Sequence, residues 1–208
     1  MVLCNKRKLG VLYNPKTGSA ALSKLFKTAE LDINVHDHKS NLNGLEDYTF
    51  YCFYRDPIER YISGLNYTKR LSDLMIEFLH YFYGERISCA KYIDYNTLSE
   101  KHRKMIDDIH PFHYFNEFVK RHNGGEVFSH QITWLNKPNV IPLDYRDFDN
   151  QAKFVCSLFD IDVETVPRVN ESRATHKVSN LTDNQIAEIK EFYQADYDYF
   201  NDKRIAFS

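Results

Sequence analysis

The sequence predicts an α/β fold in one domain spanning residues 1–208: a mostly parallel central sheet flanked by helices. Three observations predict it. Short apolar runs near 8–14 and 48–54 each end in a polar turn and pass into residues with helical periodicity, the pattern of strand-turn-helix units. Strands alternate with helices along most of the chain. The 208 residues, 43% hydrophobic and 15% aromatic, suffice for a sizeable core and argue against disorder.

Leu9, Val11 and Leu12 suit a buried strand over 8–14. The turn that follows is Tyr13-Asn14-Pro15-Lys16-Thr17-Gly18-Ser19-Ala20. Ser19 is expected to cap a helix over 19–28 carrying Ala20, Ala21, Leu22, Leu25 and Phe26. Backbone amides at the helix start, the hydroxyls of Thr17 and Ser19 and the Lys16 ammonium would then converge on a space that fits a phosphate. Lys16 precedes Gly18, whereas the nucleoside-triphosphatase loop puts its lysine after the glycines, so a different anion is expected.

A strand is also expected over 32–36, and a fully buried one over 48–54, where Tyr48 to Tyr54 are aromatic or β-favouring throughout. That run ends in Arg55-Asp56-Pro57-Ile58-Glu59-Arg60-Tyr61-Ile62-Ser63-Gly64. Pro57 suits the first turn of a helix over 57–67, Asp56 its cap, and Ile58, Tyr61, Ile62 and Leu65 its buried face. Arg55 offers a planar fork to a phosphate, and Ser63 lies two turns on, on the same side as the strand end. Two such seats in one sheet point to a ligand with two separated phosphates.

The pair Pro15-Lys16-Thr17-Gly18-Ser19 and Arg55-Asp56-Pro57-Ile58-Glu59-Arg60-Tyr61-Ile62-Ser63 resembles the cofactor motifs of sulfotransferases, nearest to the Golgi carbohydrate sulfotransferases. By that resemblance the sulfuryl donor is 3′-phosphoadenosine 5′-phosphosulfate (PAPS) and the product 3′,5′-adenosine bisphosphate. Pro15, Lys16, Thr17, Gly18, Ser19 and Ala20 would hold the 5′-phosphosulfate, and Arg55 and Ser63 the 3′-phosphate. Ala20 departs from the many relatives that carry a threonine there. The segments His130-Gln131 with Trp134-Leu135, Val140 to Leu143 leading to Arg146-Asp147-Phe148, and Arg168 to Ser172 resemble later parts of the family more weakly.

An acceptor hydroxyl must lose its proton as it attacks sulfur in line, so a general base is needed between the two motifs. His36-Asp37-His38 occupies that stretch, and extended backbone would put both imidazoles on one face. His36 and His38 are the expected catalytic residues together with Lys16, which would stabilise charge on the bridging oxygen as the phosphate leaves. Asp37 and Glu46 are the alternatives. The acceptor implied by the resemblance is a saccharide or another hydroxyl-bearing small molecule; its identity, and the oligomeric state, are not legible.

Other features exclude more than they assign. A formal net charge of −2 leaves no footprint for general nucleic-acid binding. Cys4, Cys52, Cys89 and Cys156 are widely spaced and read as free thiols without a structural-zinc pattern, and no metal is expected. The amino terminus lacks a long apolar stretch, so a soluble, cytoplasmic protein without a membrane partner is expected, unlike the anchored Golgi relatives. His110, His113, His122 and His130 read as structural histidines first and acceptor-cleft residues second, and Arg173 and Lys177 as residues able to close over a nucleotide. A short strand near 139–143 and helices over 147–159 and 182–199 complete the reading, the last capped by Thr182. Two other functions compete. A kinase-like transferase would need a Walker lysine and acidic magnesium ligands, and a catalytically silent nucleotide-binding module would have its histidines far from the first seat.

Overall fold

The computed structural model describes residues 1–28, 33–34, 41–68, 98–120, 125–169 and 176–207. At its centre lie five strands, β1 (Val2–Cys4), β2 (Leu9–Leu12), β3 (Ile33–Asn34), β4 (Thr49–Tyr54) and β5 (Val140–Asp144), in the spatial order β3-β1-β2-β4-β5. β2, β4 and β5 run parallel. β1 is antiparallel to both β2 and β3. The short β1 hairpin is not among the expected elements, because three residues are too few to show a period, and pairing with β2 and β3 is what makes Val2 and Leu3 a strand.

Alternation along β4 explains its unbroken apolar character. Phe53 and Tyr51 face one core, with Val11, Tyr13, Leu22, Phe26, Val155 and Phe159; Phe50, Cys52 and Tyr54 face another, with Leu12, Trp134, Leu135 and Phe200. A central strand covered on both faces has no polar side to show. The wholly buried Phe50 and Phe53 each contribute about 2 kcal/mol relative to exposure.

Helices cover both faces. α1 (Ser19–Leu25), continued by a 3₁₀ turn over Phe26–Thr28, follows β2 and packs on the first face. α2 (Pro57–Thr68) leaves β4; α3 (Glu100–Asp107) is the next helix among the described residues, and α2 packs in a third core with α4 (Pro111–Tyr114), α5 (Gly125–Phe128) and α8 (Asp183–Phe192). α6 (Ile132–Leu135) and α9 (Gln194–Asp202) close the second face, and α7 (Phe148–Leu158) the first.

One expected helix is two. Residues 182–199 do not form a continuous helix: α8 and α9 meet at Tyr193, whose φ and ψ of −92° and 19° break the run. The Tyr193 ring is 1% exposed and its hydroxyl donates to the Phe128 carbonyl at 2.8 Å. Anchored there, the chain turns so that Ile189 faces the third core while Tyr199 and Phe200 face the sheet. Thr182 does cap α8, accepting from the Gln185 amide while the Gln185 side chain accepts from the Thr182 amide. Ser19, by contrast, is not a cap: Gly18 holds the cap position in left-handed backbone and Ser19 is the first helical residue.

Thr182→Ala removes the hydroxyl half of that reciprocal cap and is expected to lower unfolding stability by about 1 kcal/mol, read as a reduced urea midpoint at unchanged slope.

Candidate functional site

The turn after β2 is built by its own strained backbone. Lys16 has φ of 65° and Gly18 of 86°. A left-handed lysine costs on the order of 1 kcal/mol and persists only where neighbours hold it. Three contacts hold it here. Thr17 is 1% exposed and its hydroxyl donates to the Asn14 carbonyl at 2.8 Å, closing the turn on itself. A Cβ on Gly18 would stand 2.3 Å from the Phe148 ring, so this glycine is required for packing as well as conformation. The Lys16 ammonium lies 4.1 Å from the centre of the Tyr67 ring on α2. With the Thr17 hydrogen committed to Asn14, that residue offers an anion its amide rather than its hydroxyl.

The second strand end is organised by capping. Asp56 Oδ1 accepts from the amides of Ile58 and Glu59 at 2.9 and 3.0 Å, and Pro57 occupies the first helical position of α2. Arg55 is thereby held at the mouth of a cleft of about 320 Å³ lined by Arg55, Glu59, Ser63, Asn66, His176 and Lys177. The guanidinium packs 4.9 Å from the Tyr145 ring centre, and its Nε donates to Glu59 at 3.2 Å. Nη1 and Nη2 make no hydrogen bond among the described residues. An exposed i,i+4 ion pair is worth about 0.3–0.5 kcal/mol, so an arriving phosphate can displace Glu59. The far wall is fixed by Asn66, whose amide exchanges two hydrogen bonds with the His176 backbone at 2.9 and 3.0 Å. Asn66 is 5% exposed, so Asn66-Tyr67-Thr68, which matches the Asn-x-Thr glycosylation pattern, cannot serve as an acceptor in the folded chain.

Buried polar groups join the two ends. Gln131, fully buried, accepts through Oε1 from the Arg55 amide at 3.0 Å and from Asn14 Nδ2 at 3.1 Å, and donates from Nε2 to the Arg55 carbonyl at 2.7 Å. Arg60, 1% exposed, donates to the carbonyls of Pro15 at 3.3 Å, Val127 at 3.1 Å and Ser129. Burial lowers its pKa, opposed by Tyr193 and Asp196, yet a guanidinium stays charged. Asp196 supplies buried negative charge nearby; burial pushes its carboxyl above the usual range, against amide hydrogen bonds from Gln131 and Ile132 and the field of Arg60. Neither Gln131 nor Arg60 was assigned a function from sequence. The one available signal was their type, since a buried amide or guanidinium must satisfy its donors on something nearby.

Of the residues expected in the two seats, Pro15, Lys16, Thr17, Gly18, Ser19 and Ala20 form the first turn, and Arg55 and Ser63 share the cleft, which Lys177 also lines. Both lie at the carboxyl ends of adjacent parallel strands, where α/β folds bind ligands. His36, Asp37, His38, His122 and Arg173 lie outside the described residues. Glu46 stands elsewhere: it lines a separate hollow with Lys137 and Asn139 at the amino ends of β4 and β5. The six residues of β4, roughly 20 Å of strand, separate it from Arg55, which removes it as the alternative base. His110 caps α4, accepting from the Phe112 amide, and His130 stacks on Phe192 and meets Tyr193 edge-on, so both are structural.

A model of the sulfotransferase family matches residues 4–201. The chain belongs to the sulfotransferase family. Comparison with curated proteins and with solved structures gives no match. Membership supports sulfuryl transfer as the chemistry of the protein and agrees with the resemblance carried by the Lys16 and Arg55 motifs. Among the described residues no helix is long and apolar enough to cross a membrane.

Two substitutions test how this sulfotransferase turn is held. Lys16→Gly is expected to be more stable than Lys16→Ala by about 1 kcal/mol, because glycine accepts left-handed backbone without strain; equilibrium denaturation measures the difference. Gly18→Ala, which drives a methyl into Phe148, is expected to cost about 2–4 kcal/mol and to lower Tm accordingly.

Proposed function

We propose that the protein transfers the sulfuryl group of PAPS to an acceptor hydroxyl, that of a saccharide. The observation that carries this function is the sharing of one cleft by Arg55, Ser63 and Lys177 beside a left-handed lysine turn on the neighbouring strand. The donor set fits a nucleotide phosphorylated at both ends. A planar guanidinium, an ammonium and a hydroxyl suit the 3′-phosphate, and a lysine with the amides of a tight glycine turn suits the 5′-phosphosulfate.

When bound, the donor supplies an activated sulfuryl group whose bond to the 5′-phosphate oxygen breaks as the acceptor oxygen bonds to sulfur, releasing 3′,5′-adenosine bisphosphate. Lys16 neutralises the charge that grows on that phosphate oxygen. The acceptor proton passes to a base within hydrogen-bond reach, for which His36 and His38 are the proposed groups and Asp37 the remaining carboxylate. Pro15, Thr17, Gly18, Ser19 and Ala20 hold the 5′ end through backbone amides, and Arg55 and Ser63 orient the 3′ end.

Thermal unfolding with 3′,5′-adenosine bisphosphate, or with ATP and magnesium, tests the donor. The bisphosphate is expected to raise Tm, by mass action on the native state, and Lys16→Ala and Arg55→Ala to abolish the rise. Stabilisation by ATP with magnesium alone would favour a kinase-like transferase instead. The double variant His36→Ala, His38→Ala is expected to keep the bisphosphate shift and lose about a hundredfold in turnover, measured with radiolabelled PAPS against a panel of glycans, phenols and peptides. Unchanged turnover removes both histidines from the mechanism and leaves a carboxylate as the base.

A further inference from the structure

We infer that Gln131 is a positioning residue that sets the distance between the two anion seats, and thereby the preference for a nucleotide phosphorylated at both ends over one phosphorylated at a single end. This role for Gln131 rests on the donor proposed above.

The backbone ladder between β2 and β4 ends at the pairing of Leu12 with Cys52. Beyond it the chains part, one into the Lys16 turn and the other into Arg55 and the Asp56-capped helix. Side-chain amides replace the missing rungs. Asn14 Nδ2 donates across the gap to the Phe53 carbonyl at 3.0 Å and to Gln131 Oε1 at 3.1 Å. Gln131 in turn grips both backbone groups of Arg55, its amide at 3.0 Å and its carbonyl at 2.7 Å. One carboxamide therefore touches the residue before the first seat's proline and the arginine of the second.

Gln131 is itself anchored. Its carbonyl accepts from the Trp134 and Leu135 amides at 2.9 and 3.1 Å, and the next amide, Ile132, donates to the buried Asp196 at 3.0 Å. Its side chain is sealed from solvent, so it cannot meet a ligand and can act only through Asn14 and Arg55. A ligand that spans both seats gains from their spacing, because the second contact becomes intramolecular once the first is made. A ligand that fills one seat gains nothing from that spacing.

Calorimetric titration of the full chain with 3′,5′-adenosine bisphosphate, adenosine 5′-monophosphate and adenosine 3′-monophosphate separates these effects. Wild type is expected to favour the bisphosphate. Gln131→Met keeps the volume and removes the amide; it is expected to weaken the bisphosphate about tenfold, within the usual range of coupling between sites, and to leave each monophosphate within about twofold. Gln131→Glu provides a second reading should the Met variant fail to fold. Burial raises the introduced carboxyl's pKa, and only its protonated form can both accept from and donate to Arg55. Its preference for the bisphosphate, normalised to wild type at each pH, is therefore expected to recover on acidification. An undiminished bisphosphate preference in Gln131→Met, an equal fall for all three ligands, or a pH-independent ratio in Gln131→Glu overturns the spacing role while leaving the donor intact. A wild type that binds the bisphosphate no better than the monophosphates overturns the donor and the spacing role together.

Discussion

Parallel strands that separate must leave backbone groups unpaired, and the parting of β2 from β4 after Leu12 and Cys52 is the constraint on which the candidate site depends. Open backbone at a strand end is what an anion-binding turn needs, yet unsupported it would also be loose. Asn14, Gln131 and Arg60 resolve the conflict by bonding to backbone carbonyls and amides on the core side of the parted chains. The buried polar layer beneath the site is thus as much a part of it as the cations expected to touch a ligand.

That layer carries its own cost. Arg60 surrenders its hydration to reach three carbonyls, and its Nε makes no hydrogen bond among the described residues. Asp196 spends one oxygen on the Ile132 amide, and the other makes no hydrogen bond among the described residues. Buried ions of this kind are seldom a source of net stability. Their retention beneath the turn agrees with the strained Lys16 backbone above it: local destabilisation is tolerated where geometry must be held.

Transfer of a sulfuryl group asks little covalent chemistry of a protein and much positioning. The architecture is suited to that division. The sheet aligns two strand ends side by side, aromatic packing of Phe53, Phe148 and Tyr145 backs both turns, and the late segment at His176 is tied to α2 through Asn66.

Legibility followed the range of the interactions. Local chemistry was readable: the alternating strand-turn-helix order, the strand at 48–54, the Asp56, Pro57 and Thr182 helix starts, and the two cation-bearing turns all arise from neighbours within a few residues. The break at Tyr193, the β1 hairpin, the transfer of the cap from Ser19 to Gly18 and the removal of Glu46 to the far edge were not, since each depends on a partner distant in the chain. The sequence by itself determined the strand-turn-helix units over 8–28 and 48–67 and which of their turns carry cations, because periodicity and capping are short-range. Only the tertiary structure decided how far apart those cations stand, because Gln131 lies 76 residues from Arg55 and 117 from Asn14, and no local pattern records what a buried amide will reach.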